Sequence, residues 1–206
     1  PPAAYVDIDH TDCLFITGSN TAWAHPVLFR RIEAARAARP AMKLIVVDPR
    51  RTDTAALADL HLAIAPGTDV ALCRAMLHVM IAQQLIDPAY IDAHTEGFAS
   101  LQQLVAGMSP QRAADICQVP AVDIETAARW FAGSPATLSL YCQGLNQSVH
   151  GTAKNTALID LHLACRQLGR PGAGPLSLTG QPNAMGGREV GGMANLLSGH
   201  RDLADA

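Results

Sequence analysis

Two short runs of apolar residues near the start of the chain set the expected architecture. Residues 12–17 (Asp-Cys-Leu-Phe-Ile-Thr) lead into Gly18-Ser19-Asn20, which is typical of a buried strand followed by a tight loop. Residues 43–48 (Lys-Leu-Ile-Val-Val-Asp) are mostly β-branched or apolar, as in a strand covered on both faces. Between these runs, Pro26 suits the first turn of a helix. The pattern therefore predicts a βαβ unit with parallel strands.

Apolar and helical periodicity predict more elements further along the chain. Two strands are expected, at 60–64 and 136–142. A last long helix is expected over 152–168, with Gly169 as its C-cap, and Thr68 is expected to cap the helix that follows the third strand. The helices predicted between the third and fourth strands cover about 69–84, 88–97 and 98–105, a segment beginning at Ser109-Pro110, and 121–132.

The order of these elements predicts the fold class. Strands and helices alternate over residues 1–142, which indicates an α/β fold with a doubly wound, mostly parallel, Rossmann-like sheet. Residues 143–206 hold one predicted helix and a long segment, 177–191, that is too polar for a buried helix or strand and too varied for a linker. We expect a dinucleotide-binding-like domain over 1–142. Residues 143–206 are then part of a second α/β lobe, with 177–191 as a cofactor-facing loop.

Composition excludes several classes of protein. The chain has 206 residues, of which 49% are hydrophobic and 16% are charged, so a folded core is expected rather than disorder. Its net charge of −3 and the lack of a Lys/Arg run argue against electrostatic nucleic-acid binding. No apolar run reaches the roughly 18 residues of a membrane span. Because the chain begins without Met and ends without a terminal motif, we expect it to be an internal piece of a longer polypeptide.

Cysteine and histidine spacing gives no metal site and no catalytic constellation. The five cysteines are far apart and include no CxxC pair, and the eight histidines include no HxxxH spacing. Cys13, Cys73 and Cys165 lie in apolar surroundings, so we expect them to be small core residues. Unpaired cysteines make a reducing, cytoplasmic location the simplest expectation.

Polar clusters follow each of the four predicted strands. Ligands of open α/β sheets bind beyond the carboxyl ends of the strands, where the strand order reverses. Four clusters at one edge would make a site of nucleotide size. These clusters are Gly18-Ser19-Asn20-Thr21, Asp48-Pro49-Arg50-Arg51-Thr52, Gly67-Thr68-Asp69 and Gln143-Gly-Leu-Asn-Gln147.

The residue types in the clusters suit a purine nucleotide with phosphates. Small residues at Gly18 and Ser19 let backbone N–H groups approach a pyrophosphate. Asp48 is placed like the acid that binds ribose hydroxyls, and the guanidinium groups of Arg50 and Arg51 suit phosphate or base stacking. Asp69 has the acceptors to take two hydrogen bonds from neighbouring N–H groups, which guanine presents and adenine does not.

Each of these residues also has an ordinary structural reading. Asp48 before Pro49 could simply end a strand, and Thr68 and Asp69 are common in helix caps. Ser19 and Asn20 are common in turns. The GxGxxG fingerprint is absent, which argues against an ordinary NAD site.

Seven motifs, in this order, cover nearly the whole chain and resemble the molybdopterin oxidoreductase family, the group similar to dimethyl sulfoxide reductase. Within this family the chain is most similar to bacterial assimilatory nitrate reductases. The motifs are Gly18-Ser-Asn-Thr-Ala-Trp23, His25-Pro-Val-Leu-Phe29, Asp48-Pro-Arg-Arg-Thr52, Pro66-Gly-Thr-Asp69, Gly144-Leu-Asn-Gln147, Gly169-Arg-Pro-Gly172 and Ser177 to Gly191.

The resemblance implies a cofactor and a reaction. Two molybdopterin guanine dinucleotides would hold one molybdenum, with residues 18–21, 48–52 and 67–69 contacting a guanosine diphosphate arm. Gln143 and Gln147 would line the cofactor nearer the metal. The expected reaction is oxygen-atom transfer that reduces nitrate to nitrite. Electrons would come through a 4Fe–4S cluster from an electron-donor protein or reductase subunit.

The chain also departs from the family pattern. The cysteines that hold the cluster and the molybdenum lie upstream of the family segment matched here, and neither Cys13 nor Cys142 matches them. The resemblance also implies a C-terminal domain that completes the pterin site, and we expect it to lie outside this chain. We therefore expect the isolated chain to be inactive and largely free of cofactor, with the metal ligands outside it.

Two alternative functions and the role of one side chain stay open at this point. Another family member, such as a formate dehydrogenase, shares the same motifs, because the substrate is chosen at the metal. A non-enzymatic nucleotide-binding module would keep the sheet and lose the redox centre. Arg188 could guide an anionic substrate or bind a pterin phosphate, or it could form an ion pair with Glu189 or a neighbouring lobe.

Overall fold

A computed structural model describes residues 3–179, 184–192 and 196–205. In these ranges five parallel strands form one sheet, in the order β3-β2-β1-β4-β5. The strands are β1 (Cys13–Thr17), β2 (Lys43–Val47), β3 (Leu60–Leu62), β4 (Thr137–Tyr141) and β5 (Gly174–Ser177). The predicted α/β class with a doubly wound parallel sheet is confirmed.

The sheet is buried on both faces because neighbouring apolar residues along a strand point in opposite directions. Phe15 in β1 is aligned with Ile45 in β2, and both belong to one apolar core. Leu14 and Ile16 belong to a second core on the opposite face. Continuous apolar runs, rather than alternating ones, are therefore what this sheet requires.

Helices cover the two faces separately. α2 packs Leu28 and Ile32 into the core that contains Leu14, whereas α4 packs Met76 and Leu77 into the core that contains Phe15. The helices are α1 (Thr21–Ala24), α2 (Pro26–Ala38), α3 (Asp53–Ala56), α4 (Asp69–Ala82), α5 (Pro88–His94), α6 (Phe98–Ala106), α7 (Pro110–Cys117), α8 (Ala121–Gly133), α9 (Gln143–Asn146), α10 (Gly151–Ala164) and α11 (Ala184–Glu189).

The strand order reverses between β1 and β4. From β1 the chain continues through α2, on one face, to β2. From β4 it continues through α10, on the other face, to β5. Adjacent strands whose connections leave in opposite directions define a switch point, where doubly wound folds bind their ligands.

β5 is absent from the sequence prediction, which places only a helix and a loop after the fourth strand. Leu176 of β5 pairs in parallel register with Leu140 of β4, and Pro175 is accommodated because β5 lies at the edge of the sheet. The run is short and is interrupted by Gly174 and Pro175, so its pattern is weak. The division of the chain between residues 142 and 143 stays a prediction.

The end of α10 also differs from the sequence prediction of residue 168 with Gly169 as cap. The helix ends at Ala164, and Arg166 takes the left-handed conformation, with φ of 55°. The N–H of Gln167 donates to the carbonyl of His162 at 2.8 Å, as in a Schellman motif. Glycine is the usual residue at this position, so the arginine gives the sequence no indication that the helix ends here.

The segment 177–191 is only partly described. Residues 180–183 and the side chain of Arg188 lie outside the described part of the structure. Residues 184–189 form α11, so the expectation that the whole segment is a loop is wrong there. Among all the described residues, no helix combines the length and apolar character needed to cross a membrane.

Candidate functional site

The loops that follow β1 and β4 touch each other at the switch point. The N–H of Gly144 donates to the carbonyl oxygen of Gly18 at 3.0 Å. A Cβ atom on Gly144 would lie 2.5 Å from the Cα atom of Gly18, and Gly18 itself has a φ of +59°. Both positions therefore require glycine for backbone packing. The N–H of Gly18 is also engaged, since it donates to the carbonyl of Val47 at 3.3 Å.

The side chains after Gly18 mainly hold the loop together. The buried hydroxyls of Ser19 and Thr21 share a hydrogen bond of 3.1 Å. Asn20 accepts a hydrogen bond of 2.9 Å from the hydroxyl of Thr54, which lies in α3, two residues after the second cluster. The backbone N–H groups of Ser19 and Asn20, by contrast, donate to no other described residue. As far as residues 3–179, 184–192 and 196–205 show, they are available to the anionic ligand expected here.

Asp48 ends β2 and shapes the turn after it. Its Oδ1 accepts a hydrogen bond of 2.8 Å from the N–H of Arg50, and its side chain is 10% exposed. Pro49, Arg50 and Arg51 are exposed, whereas the hydroxyl of Thr52 caps α3 by accepting from Ala55. Asp48 therefore stabilises the turn through Oδ1. Its other oxygen, Oδ2, accepts no hydrogen bond from the described residues.

The third cluster places an acid at the start of α4. Gly67 has a φ of +89°, as its tight turn requires. Thr68 occupies the N-cap position, but its hydroxyl donates to the carbonyl of Ala65 at 2.7 Å rather than accepting from the helix. The expected side-chain cap by Thr68 is therefore wrong. Asp69 begins the helix, and its carboxylate points to a partner that the sequence did not predict.

That partner is Lys154, in the first turn of α10. Its Nζ lies 2.7 Å from Oδ2 of Asp69 and donates to the carbonyl oxygen of Gly144 at 3.2 Å. The side chains of Lys154 and Asp69 are only 7% and 14% exposed. One signal could have revealed this residue, because Lys154 shares the core-facing stripe of α10 with Ala157, Leu158 and Leu161.

Lys154 completes a hydrogen-bonded chain through the ends of four strands. This series of hydrogen bonds leads from Asp69 to Lys154, from Lys154 to Gly144, and from Gly144 through Gly18 to Val47 at the end of β2. In the sheet, β3 and β4 are separated by β2 and β1. The Lys154 side chain therefore brings the cluster after β3 to the switch point, where β1 and β4 end.

The fourth cluster forms the short helix α9. Gln143 and Gln147 are exposed, which leaves their amides accessible. Asn146 donates to the hydroxyl of Ser177 at 3.0 Å and so ties α9 to the end of β5. His25 approaches the same region, with Nε2 3.4 Å from the carbonyl of Thr179. Residues 177–179, the start of the segment 177–191, therefore lie against the switch-point loops, and the prediction that this segment faces a cofactor stays a prediction.

The cysteines do not form part of this edge as reactive groups. All five are free and buried, and burial raises the pKa of the Cys13 thiol to about 12. Cys142, at the end of β4, is buried as well. Within the described ranges, no group of three or more His, Cys, Asp or Glu side chains is placed to hold a metal ion.

A cavity of about 300 Å³ lies on the helical face of the molecule rather than beyond the strand ends. α4, α6 and α10 surround it, and its lining is apolar except for Arg74, Thr156 and Asp160. Burial raises the pKa of Asp160. The charged and amide groups suited to a nucleotide lie at the strand ends, so the candidate site is there.

The chain is similar to several known proteins. A nitrate reductase from Synechocystis sp. is 47% identical over 98% of the chain, which spans 28% of that protein's length. An F420-dependent formate dehydrogenase subunit alpha from Methanocaldococcus jannaschii is 38% identical over 97% of the chain, which spans 29% of it. The solved structure of acetylene hydratase from Pelobacter acetylenicus superposes with a TM-score of 0.72 and 29% identity, covering 84% of the chain and 23% of the hydratase.

One family model matches almost the whole chain. The family model described as molybdopterin oxidoreductase matches residues 3–203, nearly the whole chain. Such a family implies a molybdenum–pterin cofactor. The chain belongs to the molybdopterin oxidoreductase family.

Proposed function

We propose that the protein containing this chain is a nitrate reductase that binds molybdenum through two molybdopterin guanine dinucleotides. In this proposal the strand-end edge of the chain binds a guanosine diphosphate arm of the cofactor. The observation that carries the proposal is the series of hydrogen bonds from Asp69 to Val47, which connects the third, fourth and first clusters and reaches the residue before the second cluster. The 47% identity with a nitrate reductase supports the choice of substrate.

The residues at this edge fit a nucleotide arm. Asp48 and Asp69 each keep one carboxylate oxygen without a partner in the described chain, so each can accept hydrogen bonds from ribose hydroxyls or a base edge. Arg50 and Arg51 are exposed beside Asp48 and suit the diphosphate. The N–H groups of Ser19 and Asn20 supply further donors, and Gln143 and Gln147 can line the arm closer to the pterin.

The proposed reaction consumes two electrons and two protons and converts nitrate to nitrite and water. When bound, the molybdenum–pterin group supplies the two-electron chemistry that removes the oxygen atom. The chain's own residues bind and orient the nucleotide arm. The 4Fe–4S cluster and the metal ligands belong to other parts of the protein in this proposal, and an electron-donor protein or reductase subunit delivers the electrons.

Because the chain spans 28% of its nitrate reductase relative, we propose that it is inactive by itself. It offers one wall of the cofactor site and no set of metal ligands in the described ranges. A cytoplasmic location and a role in nitrate assimilation are part of the same proposal.

Arg188 is proposed to guide nitrate or to bind a pterin phosphate. Accordingly, Arg188→Ala in the whole enzyme should raise the apparent nitrate KM or lower cofactor content, and no change in either would make the residue structural.

A formate dehydrogenase is the second candidate, favoured by 38% identity with the Methanocaldococcus subunit. Nitrate reduction and formate oxidation run in opposite redox directions, so activity assays separate them directly. The full-length protein should oxidise a reduced viologen dye when nitrate is added. Formate-dependent reduction of the oxidised dye, without nitrate reduction, would show that the second candidate is correct. If neither activity accompanies a folded, nucleotide-binding protein, the non-enzymatic module is favoured.

A further inference from the structure

Lys154 occupies a position that stability alone does not explain. Placing an ammonium group in a largely buried site costs desolvation energy, and a buried ion pair is often no more stable than apolar residues of similar volume. The rest of its helix stripe is apolar, with Ala157, Leu158 and Leu161 in the core. A methionine could continue that stripe. The charged group of Lys154 is therefore expected to hold its two contacts, Asp69 and Gly144, in position.

The two contacts of Lys154 fix the position of Asp69 relative to the switch point. Nζ binds Oδ2 of Asp69 at 2.7 Å and the carbonyl of Gly144 at 3.2 Å. Gly144 is held in turn by Gly18, whose carbonyl accepts its N–H. Because Nζ is held by the Gly144 carbonyl, whose position is set by backbone packing, Lys154 restricts the freedom of the Asp69 carboxylate to rotate or retreat.

The remaining hydrogen-bonding capacity of Asp69 matches one base edge. An ionised carboxylate accepts up to about four hydrogen bonds, and Lys154 uses one of them. Oδ1 accepts nothing from the described residues. A carboxylate whose plane is fixed, with one oxygen free and the other partly free, can accept from two adjacent N–H donors. Guanine carries such a pair, whereas the corresponding edge of adenine places an acceptor there.

We propose that Lys154 is a positioning residue that sets the selectivity of the site for a guanine nucleotide by holding the Asp69 carboxylate against the switch-point loop at Gly144. This inference rests on the proposed function, in which Asp69 receives the guanine edge. Lys154 does not touch the nucleotide in this arrangement. It acts through Asp69 and Gly144.

The test compares GDP and ADP binding to the cofactor-free full-length protein by titration calorimetry. The wild type should prefer GDP. In K154M the ratio of the ADP and GDP dissociation constants should fall at least about tenfold. This is the scale expected for a misplaced hydrogen bond to a charged group. K43M is the matched control, because Lys43 is the chain's other lysine and lies over the ring of Trp130, at the opposite end of β2. It should keep the wild-type preference.

A double variant separates positioning from folding. K154M leaves the Asp69 carboxylate without its cation, whereas K154M/D69N removes both charges and should recover thermal stability. The GDP preference should stay lost in the double variant. An unchanged preference in K154M with a lower melting temperature would overturn the proposal, as would failure of both variants to fold, because Lys154 would then be purely structural. Equal GDP and ADP binding by the wild type itself would instead remove the guanine assignment of the proposed function, and this inference with it.

Discussion

The N–H of Gly144 donates a 3.0 Å hydrogen bond to the carbonyl oxygen of Gly18, joining the loops that follow β4 and β1 at the switch point of the sheet. The two backbones are so close that a Cβ atom on Gly144 would lie 2.5 Å from the Cα atom of Gly18. Two glycines in the motifs of this family thus have a packing role that is independent of any ligand.

Gly144→Ala should destabilise the protein. A methyl group cannot fit without moving the loops apart, and overpacking of this kind costs about 1–3 kcal/mol. The melting temperature of the full-length protein measures the effect. Gly133→Ala is the control, because nothing lies within 4 Å of a Cβ there and the residue is at the end of α8. Similar melting temperatures for the two variants would contradict the close contact.

His162 should make the stability of the fold depend on pH. It is fully buried, its Nδ1 donates to the carbonyl of Gln167 at 3.0 Å, and its Nε2 accepts from the hydroxyl of Ser139 at 2.7 Å. Burial lowers the pKa of His162 to about 3. The unfolded chain, with a pKa near 6.5, therefore takes up the proton first. The contribution of His162 to the free energy of unfolding is therefore complete above about pH 6.5. It is lost as the pH falls towards 3, by up to about 1.4 kcal/mol per pH unit.

The matched variants are His162→Gln and His10→Gln, since His10 is exposed. Denaturant unfolding between pH 7 and pH 4.5 should show that wild type and His10→Gln lose stability more steeply than His162→Gln does. The destabilising effect of His162→Gln at pH 7 should accordingly shrink at low pH. Parallel pH profiles for all three proteins would show that His162 does not titrate as its burial requires.

The thiols of this chain should resist alkylation in the folded protein. All five cysteines are buried, and burial raises the pKa of Cys13 and Cys165 to about 12 and that of Cys73 further. The thiolate is the reactive form, so these three thiols carry little of it at pH 8, and burial shields all five cysteines from the reagent. Mass spectrometry after iodoacetamide treatment should find these residues unmodified until denaturant is added. Rapid labelling of Cys142 in the native protein would place a reactive thiol at the strand ends and contradict this account.

Asp48 allows its turn role to be separated from its proposed role in ribose binding. Asp48→Asn keeps a side-chain oxygen that can accept from the N–H of Arg50, so the turn should survive. The negative charge is lost, and the affinity for GDP should fall about tenfold, the scale of one hydrogen bond to a charged group. Titration of the cofactor-free full-length protein measures this. Asp48→Asn with wild-type affinity and an intact fold would leave Asp48 with the turn role only.

The strong elements of the fold were predictable because their residues satisfy local and tertiary demands together. Ile45, Val46 and Val47 are β-branched and buried in a strand covered on both faces, and Pro26 opens α2. β5 was not predictable, because Gly174 and Pro175 weaken its pattern and its place depends on pairing with β4. The end of α10 was obscured by an arginine in a left-handed conformation that glycine usually takes.

The candidate site was predictable as a set of strand ends but not as a network. Parallel strands place their carboxyl ends together, so the clusters after β1, β2, β3 and β4 could be assigned to one edge from the sequence. Lys154 was not found, because a single lysine in a helix usually faces solvent. Its contact with Asp69 depends on how α10 packs against α4, which residue spacing alone does not give.

The composition of the cofactor in the purified full-length protein tests the central claim most directly. Molybdenum is measured by plasma mass spectrometry, and the nucleotide is released by acid and identified by chromatography. The account predicts stoichiometric molybdenum with two GMP released for each metal. Molybdenum without GMP, or AMP or CMP in its place, would contradict the assignment of the strand-end edge to a guanine dinucleotide.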